Sequence, residues 1–204
     1  MQKVQARLDN LTKPLGSLGR LEEMVKRIAG ITGGMFPEVD KKTIVVMCSD
    51  NGVVDEGISQ SGKEITASVT KNFTKGITAV NVFSRHTGAE LIVVDIGVDD
   101  DLNCEGVLDR KVRKGTWNIA RGPAMTRDEA VKAVEVGIEI VEDLKNKGVN
   151  LLGTGEMGIG NTTTSSAVAV ALTEYSAEEM VGKGAGLTGE GLSNKIRVVK
   201  KALQ

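Results

Sequence analysis

The chain has 204 residues, with 26 basic against 27 acidic side chains and a formal net charge of −1 at pH 7, which is enough chain for one sizeable α/β core. A near-neutral balance without a Lys/Arg block, and only one Trp, one Tyr and three Phe for base stacking, argue against nucleic acid as a partner. No apolar run approaches the roughly 18 residues of a membrane span, and Met1 to Asn10 is polar rather than a leader segment; a cytoplasmic protein without a membrane partner is expected.

Thr12-Lys13-Pro14-Leu15-Gly16-Ser17-Leu18-Gly19-Arg20 reads as a turn followed by a helix start. Ser17 is placed to cap that helix, and Leu18, Leu21, Val25 and Ile28 recur at helical spacing up to Gly33-Gly34. Residues 1–34 are therefore set apart as an N-terminal helical segment, and 35–204 as an α/β region. Lys13 and Arg20 either form a solvated face or meet a phosphate.

Thr43 to Cys48 is a continuous apolar run of the kind buried on both faces of a parallel sheet. It delivers Ser49-Asp50-Asn51-Gly52 to the strand's carboxyl end, where ligands collect in open parallel sheets; a plain turn is the competing reading of those residues. A polar loop with Ser59, Gln60 and Ser61 leads to a helical stretch, Lys63 to Arg85, with Ile65, Val69 and Phe73 as its apolar positions and Gly76 as a kink or close-packing point. The single histidine, His86, lies at its end and excludes a two-histidine metal motif. Cys48 and Cys104 lack CxxC spacing and read as buried thiols in a reducing compartment.

Glu90 to Gly97 is the second strand, with Asp95 near its carboxyl end, and Asp99-Asp100-Asp101 beyond it reads as solvated loop rather than a metal site. Lys111 to Arg121 is basic and fits no element. Thr126 and Glu129 form a capping box for a long helix whose expected buried stripe is Val131, Val134, Ile138, Val141 and Leu144, ended by Gly148. Ser176 and Glu179 repeat the box, Lys183 to Leu187 is a loop, and a last helix from Glu190 carries Lys195 with a stripe of Leu192, Ile196, Val199 and Leu203. An apolar stripe reaching the bare terminus at Gln204 suggests that sequence is missing.

The densest signal is Gly153 to Thr164, GTGEMGIGNTTT, between a strand at Val149 to Leu152 and a helix from Ser165. Its four glycines allow close backbone approach, and the following helix start turns free N–H groups and a positive dipole end toward an anion. One carboxylate, Glu156, sits in this anion-seeking loop and would face something that is or becomes positive. A tight turn with a solvated Glu is the bland alternative. Gly153 to Gly158 also matches G-x-G-x-x-G, which suggests a dinucleotide fold, although the expected ribose-binding acid about 20 residues on falls in a helical stretch. The pattern of three buried strands separated by helices gives a mostly parallel sheet with right-handed crossovers and helices on both faces.

TKPLGSLGRLE (Thr12 to Glu22), CSDNGVVDEG (Cys48 to Gly57) and GTGEMGIGNTT (Gly153 to Thr163), in that order, resemble the nicotinate-nucleotide:dimethylbenzimidazole phosphoribosyltransferase family of cobalamin biosynthesis. The resemblance implies a Rossmann-like domain, a small helical domain built from both chain ends whose C-terminal half is absent here, and a homodimer. It implies transfer of ribose 5-phosphate from nicotinate mononucleotide to 5,6-dimethylbenzimidazole. The cationic pyridinium can depart without a general acid, so no metal and no cofactor are called for. Glu156 then stands beside the charge that develops on the ribose. The phosphate lies against the N–H groups from Gly158 through Gly160 and Asn161 to Thr162, and the family pattern adds Lys195. Ser61, Asp50 and Met157 fall on the base side.

Two departures from the pattern stand out. The family usually has Asp-His-Gly where this chain has Asp50-Asn51-Gly52, which leaves the accepting base open. Its general-base glutamate lies in a C-terminal segment with no counterpart among these 204 residues, so a fragment or half of a split enzyme, inactive alone, is expected. A transferase for another base, a non-catalytic nucleotide-binding subunit and an NAD-dependent enzyme are the alternatives.

Overall fold

The computed structural model describes all 204 residues, and they divide into two compact units, Met1–Asp40 and Lys41–Gln204. The first unit holds α1 (Gln2–Asp9) and α2 (Arg20–Thr32). Its small core is Val4, Leu8 and Ala29, which corrects the expected stripe: Leu18, Leu21 and Val25 are exposed. Ser17 does not cap α2. The N-cap is Gly19 at φ 55°, and no side chain caps it. The face turned inward instead carries Glu22, 6 % exposed and held by Lys13 at 2.8 Å and by the Leu18 N–H. Lys13 is thereby committed within this unit.

The second unit is built on β1 (Lys42–Ser49), β2 (Glu90–Gly97), β3 (Val107–Asp109) and β4 (Leu151–Met157), all parallel in the order β3-β2-β1-β4. Successive residues of a strand point to opposite faces, which explains the unbroken apolar runs. Val46 and Val93 pack with Phe73 on one face, while Val45 and Val94 pack with Val136, Ile140 and Leu144 on the other. Each such valine contributes about 1.5–3 kcal/mol by burial, so both faces must be covered. The first is covered by α3 (Glu64–Thr74) and α4 (Ala79–Thr87), the second by α5 (Arg127–Asn146).

The expected helix over 63–85 is two helices. Gly76 at φ 72° breaks it rather than kinking it, and Thr78 with Asn81 forms a capping box that restarts the chain as α4. His86 is exposed in the last turn of α4. The Thr126–Glu129 capping box opens α5 as expected, but its buried stripe is Val136, Ile140 and Leu144. Val131, Val134, Ile138 and Val141 lie 44–64 % exposed. The strand β3 has no counterpart among the expected elements; its three residues are too few for a periodic signal. Cys48 is fully buried, whereas Cys104 is half-buried against Thr74.

After β4 come α6 (Asn161–Leu172), α7 (Ala177–Met180) and α8 (Gly189–Ala202). Ala167, Ala177, Val181 and Val199 form their shared core, and the Ser176–Glu179 box caps α7. No helix is long and apolar enough to cross a membrane.

Candidate functional site

The chain runs outward from β1 to β2 to β3 and then returns to the other side of β1 as β4. Strand order therefore reverses between β1 and β4, and at such a switch point two carboxyl-end loops diverge and leave a crevice. Asn51 leaves β1 here and Gly158 leaves β4. The two loops nearly touch, since a Cβ on Gly158 would lie 2.2 Å from the Ser49 carbonyl oxygen.

The glycine stretch is divided differently from the sequence expectation. Gly153 and Gly155 lie inside β4, where a Cβ would meet Ile44 and Val46 of the paired strand at 3.1 and 3.2 Å; they permit close packing rather than a turn. The turn is Gly158 to Gly160, and Gly160 at φ 87° is the N-cap of α6. With two of its three glycines in a strand, the G-x-G-x-x-G match is no dinucleotide fingerprint.

Donors around that turn are partly committed. The Ile159 N–H donates to Thr66 Oγ1 at 3.1 Å, the Asn161 N–H to the Gly158 carbonyl, and the Thr162 N–H to Asn161 Oδ1 at 2.7 Å. The exposed Glu156, near the end of β4, accepts from Asn161 Nδ2 at 2.5 Å. Asn161 thus orients the carboxylate and occupies the first free donor of α6 with one amide.

Lys195 enters from α8. The helix is fixed by Asn194, whose Nδ2 donates to the Glu56 carbonyl at 2.8 Å, and by Val198 packed against Val53, Ile58 and Ala120. Lys195 is only 1 % exposed. Its Nζ donates to Thr162 Oγ1 at 2.7 Å and to the Gly182 carbonyl at 3.1 Å. Gly184 passes so close that a Cβ there would lie 3.1 Å from Nζ. Its acceptors are neutral oxygens, and desolvation lowers its pKa below the ordinary 10.5. Ser59, Gln60, Ile159, Asn161, Thr162 and Lys183 line the small cleft around it. A buried ammonium at a helix N-terminus, with neutral partners and a lysine-lined mouth, is suited to a phosphate.

Asp50 is 6 % exposed at the end of β1. Burial raises its carboxyl above the usual value, opposed by the Asp99 N–H donating to Oδ2 at 2.7 Å and by the nearby Thr66 hydroxyl. Asp50 Oδ1 is left as a buried acceptor without a hydrogen-bond partner. Met157 is half-buried against the Val46–Phe73 core, and, as strand neighbours, it and Glu156 point to opposite faces. Ser61 is half-buried in the loop before α3, with its N–H donating to Ser59 Oγ. The structure thus brings together Glu156, Asn161, Thr162, Gly160 and Lys195. Asp50, Met157 and Ser61 make no hydrogen bond to this group and are not among the residues lining the cleft around Lys195.

The unassigned segment 111–121 crosses the ends of β1 and β2. Lys111 Nζ lies 3.0 Å from Asp95 Oδ2, Thr116 N–H donates to the Asp50 carbonyl, and the Gly52 N–H donates to Thr116 Oγ1. Asp99, Asp100 and Asp101 pair with Lys63, Lys71 and Lys114.

An open parallel sheet with helices around it and a cleft at its switch point defines an α/β protein. The family model described as phosphoribosyltransferase matches residues 1–204, and the chain belongs to that family. It is 68 % identical over 203 residues to the nicotinate-nucleotide--dimethylbenzimidazole phosphoribosyltransferase of Acetivibrio thermocellus, covering 100 % of this chain and 58 % of that protein. The protein of the same name from Clostridium acetobutylicum is 61 % identical with the same coverage. The crystal structure of nicotinate-nucleotide-dimethylbenzimidazole phosphoribosyltransferase from Thermus thermophilus superposes with a TM-score of 0.92 at 40 % identity, over 99 % of this chain and 60 % of that one. The chain therefore spans about three fifths of the length of the relatives it matches.

Proposed function

We propose that this chain supplies the nucleotide half of a nicotinate-nucleotide:dimethylbenzimidazole phosphoribosyltransferase acting on soluble metabolites in the cytoplasm, in the homodimeric assembly the family resemblance implies. The observation that carries the reading is the buried, charge-unpaired Lys195 on Thr162 at the start of α6.

In this reading the phosphate of nicotinate mononucleotide takes Lys195 Nζ, the Gly160 N–H and the Thr162 hydroxyl and N–H, displacing Asn161 Oδ1 from the last. A ring nitrogen of the benzimidazole attacks C1′ of the ribose. The bond from C1′ to the pyridinium nitrogen breaks, and its electron pair returns to that ring, releasing nicotinate with a neutral pyridine ring and its carboxylate, without an acid. Positive charge on the ribose peaks midway, so Glu156, oriented by Asn161, is worth most in the transition state. Asp50, with its unpartnered Oδ1, Ser61 and Met157 form the base side, and Asn51 in place of the family's histidine bears on which base is accepted. The base proton goes to a group outside these 204 residues. Purified alone, the chain is expected to bind the mononucleotide and form little α-ribazole 5′-phosphate.

Calorimetric titration of nicotinate mononucleotide into the wild type, Lys195→Met and Glu156→Gln tests this. Losing one charge-assisted phosphate contact costs about 1.5–3 kcal/mol, so Lys195→Met should bind roughly 10- to 100-fold more weakly. Glu156→Gln should bind within a few-fold of wild type. Equal binding by wild type and Lys195→Met would remove the phosphate assignment.

A further inference from the structure

The turn that presents α6 to the cleft is rich in glycine and is closed from within by the Asn161 N–H on the Gly158 carbonyl. Gly158 and Gly160 flank Ile159, the N-cap Gly160 has no side-chain cap, and glycines lose the most backbone freedom on ordering. Yet the one non-glycine residue between them is gripped on both of its backbone polar groups, one in each of the two peptides that flank it. The Ile159 N–H donates to Thr66 Oγ1 at 3.1 Å, and the Ile159 carbonyl accepts from Asn51 Nδ2 at 3.0 Å.

Neither gripping residue belongs to β4 or α6. Asn51 stands two residues beyond the end of β1 and Thr66 lies in the first turn of α3, 0 % exposed. Both elements are anchored in the sheet core, so the clamp ties the glycine-rich side of the switch point to its rigid side. Asn51 is close enough to Gly158 that a Cβ there would lie 2.9 Å from Nδ2, so only a residue without a side chain at 158 leaves room for the amide.

We infer that Asn51 and Thr66 are positioning residues that fix the two peptides flanking Ile159, and through them the Gly160–Thr162 donors, before any anion arrives. The inference rests on reading the Lys195 cleft as the phosphate site. Geometry held in advance is what converts a flexible glycine turn into a receptor, because the ordering cost is then met in folding rather than in binding. Asn51 acquires a role independent of the base it was expected to face: its amide serves as a donor to backbone.

Isosteric changes in the 204-residue chain test the clamp. Thr66→Val keeps the shape and removes the hydroxyl, Thr66→Ser keeps the hydroxyl, and Asn51→Asp replaces the donor amide with an acceptor facing a carbonyl. Amide hydrogen exchange over residues 158–164 should accelerate about tenfold in Thr66→Val and Asn51→Asp, with β1 and β2 unchanged and Thr66→Ser close to wild type. Nicotinate mononucleotide should bind about tenfold more weakly to the first two variants. Unchanged exchange at 158–164, acceleration spread across the sheet, or Thr66→Ser behaving like Thr66→Val would overturn the clamp. Wild-type chain that ignores the mononucleotide while exchange responds as expected would leave the clamp standing and remove the phosphate reading. Tight wild-type binding shared equally by all variants would do the reverse.

Discussion

Two buried charges at the carboxyl end of the sheet are treated in opposite ways. Asp95 on β2, 3 % exposed, accepts the Gly97 and Val98 N–H groups at 3.1 and 2.8 Å and faces Lys111 at 3.0 Å. Lys195 on α8, 1 % exposed, meets a hydroxyl and a carbonyl. The first charge is complete within the fold; the second is solvated by neutral dipoles and holds an uncompensated unit of charge. A buried ion without its counter-ion is costly, so the contrast separates a charge completed within the fold from one left for the proposed phosphate.

The comparison breaks most sharply in stability. Lys111→Met strands Asp95 as a buried, half-solvated carboxylate and should cost about 3 kcal/mol in urea unfolding. Lys195→Met removes a charge that folding had to desolvate, and should leave stability equal or raised while mononucleotide binding falls. Comparable destabilisation by both would erase the distinction.

A second effect lies in pH. Burial lowers the Lys195 pKa, so the unfolded chain holds that proton more tightly than the folded one. Stability therefore rises as pH climbs through the lowered folded value toward the ordinary 10.5. Anion affinity moves the other way and is lost over the same climb. Both dependences should vanish in Lys195→Met, read by thermal unfolding and titration across alkaline pH.

The smallest effect concerns Asp50, whose carboxyl burial raises. The folded state then holds this proton more tightly than the unfolded one, so stability falls as pH rises from the ordinary 3.8 through the raised value. Asp50→Asn keeps an acceptor for the Asp99 N–H and removes the charge; it should be modestly more stable at neutral pH, with a flatter acid limb.

How much of this is readable from sequence varies with the locality of the signal. The strands β1 and β2 announce themselves by unbroken apolar runs, and the boxes Thr126–Glu129 and Ser176–Glu179 by spacing, because each is settled within a few residues. On α5 two interleaved stripes, one through Val134 and Ile138 and one through Val136 and Ile140, satisfy helical periodicity equally, and only contact with Val45 and Val94 selects the second. Sequence alone puts Gly153 and Gly155 in a turn, because a glycine's need for space beside a neighbouring strand leaves no mark on its own segment. Lys195 stands out through the family pattern, but its complete burial is hidden by Leu192 and Ile196 on either side. Nothing in the sequence marks Thr66, as a small polar residue in an amphipathic helix carries no sign of a partner in β4's loop.

The clamp and the cleft are closed by hydrogen bonds spanning 108, 93 and 33 residues. Contacts of such separation form after local ones, since long loops must close first. During refolding, helical signal should therefore recover well before the ability to bind an anion, and a chain emerging in order from the ribosome acquires its receptor only once α8 is released.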